Sequence, residues 1–129
     1  MNNEKISAIS IDYAKSAFKF LKAIGARWDK AFFRFSADES HNDCSASYVS
    51  NGAATLLSAI DHDAYFETMA RYGEKLSALT ESQHAGGFVC LLVVDSGFDY
   101  KIKFEFADSQ KWKITKLDGG TGMPAGLEA

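Results

Sequence analysis

No stretch of this 129-residue sequence runs for 18 apolar residues, so none reads as a membrane-spanning helix. The polar start Met-Asn-Asn-Glu-Lys lacks the apolar core of a secretory signal, and a cytoplasmic protein with no membrane partner is the expectation. A single proline excludes Pro-rich linkers. Two cysteines, Cys44 and Cys90, stand 46 positions apart with no CxxC pair, which argues against a zinc ribbon or a disulfide framework and for reduced thiols. Histidine occurs only at His41, His62 and His84, so general acid–base chemistry has few carriers. From residue 35 to residue 70 there is no Lys or Arg at all.

What is present is a core. Hydrophobic residues make up 47% of the chain and include 10 Phe, 5 Tyr and 2 Trp, enough for one domain over residues 1–129 that is neither disordered nor of low complexity. The net charge of -3 is unevenly spread. Residues 1–34 carry +4, residues 35–70 carry -6 and residues 71–129 carry -1. A cation-free segment of this kind repels nucleic acid and attracts a basic partner.

Periodicity sets the elements. Ile6, Ile9, Tyr13, Ala17, Phe20 and Ile24 recur at three- and four-residue steps, predicting a helix from about Ser7 to Ile24 that Gly25 ends as a cap. Aromatic Trp28 to Phe35 predicts a strand covered on both faces, and the turn-rich run Ala37 to Asp43 joins it to a second at about Cys44 to Ser50. Ala53 to Ile60 fits a strand or a helical turn equally. Tyr65, Met69, Tyr72, Leu76 and Leu79 then predict a second helix from Asp61 or Asp63 to about Thr80, with those acids as cap or first-turn residues and Gly73 as a weak point. Phe88 to Val94 is a buried strand. Phe98 to Phe106 alternates as a half-buried one, and Trp112 to Lys116 repeats the alternation as a last strand before a Gly-rich tail, 118–129, read as a loop or frayed end. The predicted class is α+β: an antiparallel sheet of about five strands with two main helices packed largely on one face.

The chemistry-bearing patterns are weak. Asp61-His62-Asp63 reads as a helix start, since neighbouring side chains there diverge. His41 and Cys44 lie on one polar turn without an oxyanion-hole sequence, and Asp118-Gly-Gly-Thr-Gly lacks the Lys and the following helix of a phosphate loop. Lys101, Lys103, Lys111, Lys113 and Lys116 alternate with acids as on a solvated sheet face rather than a nucleic-acid surface. The expectation is a protein that is not an enzyme and takes no metal or cofactor. Its candidate partner-binding residues are Asp38, Glu39, Asp43, Asp61, Asp63 and Glu67, charges that would speed encounter with a basic partner.

The ending Phe88-Val-Cys-Leu-Leu-Val-Val-Asp-Ser-Gly-Phe-Asp-Tyr-Lys-Ile-Lys-Phe, followed by Trp112-Lys-Ile-Thr-Lys-Leu-Asp-Gly-Gly, resembles that of small bacterial immunity proteins. These belong to polymorphic-toxin and contact-dependent growth inhibition systems. The N-terminal helix followed by Trp28 and an aromatic strand extends the resemblance loosely over most of the chain. It implies a protein that binds a cognate toxin C-terminal domain, often a basic nuclease, and blocks it inside the producing cell. No interface residue carries over from the resemblance. The alternative is a small-ligand domain or minor enzyme, its pocket between a helix and the aromatic sheet and lined by Tyr65, Tyr100 and Trp112.

Overall fold

The computed structural model describes residues 2–117 and 119–127; Asp118, Glu128 and Ala129 of the expected tail lie outside the described residues. Helix α1 (Asn2–Ala23) is followed by strands β1 (Lys30–Ala37), β2 (Asn42–Ser50) and β3 (Ala53–Leu56), helix α2 (Asp63–Leu79) and strands β4 (Phe88–Asp95) and β5 (Tyr100–Glu105). The five strands form one antiparallel sheet in the order β3-β2-β1-β4-β5. The expected α+β class with both helices on one face is what the chain adopts.

β1 lies at the centre, and its residues Ala31 to Ser36 are all buried, as a strand covered on both faces requires. Alternation sends Ala31, Phe33 and Phe35 toward the helices, in register with Val94, Leu92 and Cys90 of β4 and Tyr48, Ala46 and Cys44 of β2. Tyr13, Ala17 and Leu21 of α1 and Met69 and Leu76 of α2 close over this row with no exposed surface. Aromatic stacks join the two helices: Tyr13 on Tyr72 at 4.9 Å between centroids and Phe20 on Tyr65 at 4.2 Å. Full burial of each such aromatic or aliphatic side chain is worth about 1.5–3 kcal/mol.

Gly73 is no mere weak point in α2. A Cβ built there would overlap the ring of Phe35, so the glycine lets the helix backbone lie against the sheet. Gly25, at φ +69, ends α1 as expected, with the Gly25 and Ala26 amides donating to the carbonyls of Lys22 and Leu21.

Several boundaries differ from the sequence reading. α1 begins at Asn2 rather than Ser7. The open segment becomes the short edge strand β3 and then a turn. The N-cap of α2 is His62, with no side-chain capping bond; Asp63 is a first-turn residue whose carboxylate accepts from the Ala64 amide. Phe98 does not join the inward row of β5. It stands in the β4–β5 turn at φ +66, 74% exposed.

The largest difference is at the C-terminal end. Residues 112–116 form no strand, because Trp112 at φ +57 cannot continue an extended backbone. The segment instead crosses the sheet face opposite the helices, where Trp112 and Ile114 pack with Phe32, Val89 and Leu91 as a second small core. The described part of the tail, 119–127, is anchored rather than frayed: Gly122 and Ala125 donate to the carbonyls of Thr115 and Lys113, and Gly122 and Pro124 are buried.

Candidate functional site

The β1–β2 hairpin supplies one end of the acidic surface. Asp38 folds its own loop: one carboxylate oxygen accepts from the backbone N–H of Ser40 (2.8 Å) and of His41 (3.0 Å) and from the Ser40 hydroxyl (2.9 Å). The Ser40 amide, above all, holds this carboxyl below its ordinary range, with the His41 amide and the Ser40 hydroxyl adding to it. Glu39 beside it is exposed, and both line a recess that also takes in Ser77 near the end of α2 and His84.

The other end is the start of α2, where Asp61 and Asp63 line a groove of about 460 Å³ against Lys19, Phe20 and Ala23 of α1. His62 packs its ring edge-on to Phe20, 5.2 Å between centroids. The two clusters do not converge. At about 1.5 Å of rise per residue, Asp63 and Ser77 stand roughly 20 Å apart along α2.

Two carboxylates lie between them on the exposed side of the helix. Glu67 pairs with Arg71 at 4.0 Å, and Glu74 sits one to two turns further on. Glu74 acts, together with Asp43, on the thiol of Cys44, which burial first and these charges next push up to about 12. Counting charge by sequence block misses Glu74, because the cation-free segment ends at Arg71; its helical spacing from Asp63 and Glu67 was the available signal. Asp43 departs from the expected set. It pairs with Ser36 in the sheet and turns to the face opposite the helices, sharing a small recess with Arg34. The α2 side therefore carries Asp61, Asp63, Glu67 and Glu74 along the helix, with Glu39 and Asp38 at its far end, Asp38 also reaching the recess of Arg34, and with Lys5, Lys19, Arg71 and Lys75 beside them.

Arg34 is the residue that the sequence did not mark. It is 3% exposed in the outer sheet face, where Nε donates to the Lys111 carbonyl at 2.9 Å, a terminal nitrogen to the Ser109 carbonyl at 2.7 Å and the other to Ser36 Oγ at 3.3 Å. Burial lowers its pKa, against the opposing pull of Asp43 and Asp108. The guanidinium thus ties the C-terminal segment to the central strand through backbone acceptors.

The catalytic and ligand patterns come apart in space. Cys44 faces the helices while His41 is exposed on the hairpin loop, and Cys44 and Cys90 flank Phe35 from the two neighbouring strands. Their Cα atoms are therefore roughly 10 Å apart, beyond the reach of a disulfide. Among the described residues no three His, Cys, Asp or Glu side chains are grouped to hold a metal. Tyr65 is packed between Phe20 and Phe33 with its hydroxyl 2.9 Å from Ser16 Oγ, Trp112 lies on the other sheet face, and Tyr100 is at the β5 edge. Tyr65 and Trp112 lie on opposite faces of the sheet, so the three do not line one pocket between helix and sheet.

No protein-family model matches the chain, and no curated protein is similar to it.

Proposed function

We propose that the chain is an immunity protein, which binds a cognate basic toxin domain, a nuclease being the best fit, and neutralises it without chemistry of its own. The observation that carries this reading is the row of six carboxylates from the hairpin along α2, held on a well-packed scaffold. A standard interface buries about 800 Å² on each partner, a patch roughly 28 Å across, so one toxin domain can span both ends of the row. Lys and Arg of the toxin meet opposite charge there, which accelerates encounter and leaves the toxin's cationic substrate surface covered. In this reading the chain acts inside the producing cell, before the toxin leaves it.

The test is association with the toxin domain encoded next to this chain's gene, followed by stopped-flow fluorescence. Changing Asp38, Glu39, Asp63, Glu67 and Glu74 together to Asn or Gln should slow association about tenfold or more at low salt and flatten its salt dependence. Unchanged association kinetics in a variant with native thermal stability would remove the acidic face as the site. Failure of the wild-type chain to protect cells expressing that domain would remove the function.

A further inference from the structure

The outer face of the sheet holds a second recess that the acidic face does not use. It is the largest of the described surface depressions, about 560 Å³, within the range of small-ligand sites. Its floor is Val93, with the nearly covered Phe32 beneath, and Met123 and Leu127 of the C-terminal segment form one wall. Around the rim stand Lys30 of β1 and Lys101 and Lys103 of β5. Lys101 and Lys103 are two apart on one strand and so point the same way, about 7 Å from each other.

Charge decides what fits. Among the described residues none of these three ammonium groups has a carboxylate within ion-pair distance. The Asp95 carboxylate, in register with Lys30, is engaged by its own turn, accepting from the Gly97 amide at 2.9 Å and the Asp99 amide at 3.3 Å. Asp95 and Asp99 place two negative charges on the rim against three ammonium groups, leaving the recess with one cation in excess. Lysines on β5 alone would be explained as guards of an edge strand, but Lys30 begins the central strand and has no edge to guard.

We propose that this recess binds a small amphiphilic anion, an aromatic or aliphatic body bearing a phosphate or carboxylate. The body would lie on Val93 against Met123 and Leu127, and the head group would be held by Lys101 and Lys103 with Lys30 behind them. The site is independent of the toxin-binding reading, because it occupies the opposite face of the sheet.

Isothermal titration with 1-naphthyl phosphate, 1-naphthol and inorganic phosphate tests it. Saturable binding of the naphthyl phosphate is expected, with each of the two fragments weaker by about tenfold or more. Lys101→Gln with Lys103→Gln should weaken it by about tenfold, and so should Met123→Glu at a 40% exposed wall residue, with the thermal melting of both variants unchanged. Naphthyl phosphate binding no better than inorganic phosphate would reduce the site to a lysine patch and overturn the proposal. Binding equal to that of naphthol, absence of saturable binding, or affinity unaltered in both variants would overturn it as well.

Discussion

The two faces of the sheet are covered by different means. Over one face two helices press a continuous aromatic and aliphatic core, in which Tyr13, Phe33, Phe35, Met69 and Leu92 are fully buried, and between their ends the helices bond their own backbone groups. Over the other runs an irregular segment with a core of five buried residues, held by an arginine that bonds main-chain carbonyls. The helical cover needs no side chain to satisfy its backbone away from its ends. The irregular cover does, and Arg34 supplies part of what regular structure would otherwise provide. The first face should therefore fail only with the whole fold, while the second can loosen by itself.

The sharpest way to break the contrast is Phe35→Ala, which empties the centre of the helical face and should cost about 3–5 kcal/mol in urea unfolding. Gly73→Ala attacks the same spot from the helix side. Its methyl group overlaps the Phe35 ring, and overpacking should outweigh the roughly 1 kcal/mol gained in helix propensity, for a net loss of about 1–2 kcal/mol. A stabilised variant would mean that the two elements separate without strain.

On the outer face, Arg34→Met removes the bonds to Ser109 and Lys111 and should cost about 1–2 kcal/mol, expressed locally. Hydrogen exchange should accelerate from residue 109 to 127 and stay slow in β1 and β4; uniform acceleration would show that the faces are not separable. Acid should do the same more gently. Glu105 accepts from the amides of Asp108 and Ala107 just before the segment crosses the sheet, and the Asp108 bond, foremost, holds its carboxyl below the ordinary value. Its contribution is therefore complete above the unfolded carboxylate range and is lost as pH falls through the lower folded value. Between about pH 6 and pH 3, Trp112 fluorescence in a Trp28→Phe background should report loosening that Glu105→Gln makes independent of pH. The smallest effect belongs to Glu67→Gln on the exposed stripe of α2, less than about 0.5 kcal/mol by thermal melting, because its pair with Arg71 is open to water.

Legibility followed the same division. The stripe from Tyr65 to Leu79 marked α2, and the apolar run from Phe88 marked β4, because burial on a regular element leaves a period in the sequence. The alternation of Trp112 and Ile114 was also real, with both buried and Lys113 exposed between them. Yet alternation signals only that every second side chain is covered. It does not distinguish a strand paired at an edge from a coil laid across a face, and the positive φ of Trp112 decided for the coil. The acidic residues were legible one by one, but Glu74 and Asp43 exchanged places in the surface, the first because a helix carried it onto the α2 face and the second because the pleat turned it away.

Local pattern by itself determined the α+β class, both helices, the buried central strands and the unpaired thiols, since each depends on side-chain period or on residue type over a few turns of chain. Only the tertiary structure decided that the acidic clusters stand at two ends of α2, that Arg34 fastens the C-terminal segment, and that Lys30 shares a recess with Lys101 and Lys103. Those relations join residues tens of positions apart, and proximity of that kind arises from strand order and from which face a segment covers, neither of which leaves a period in the sequence.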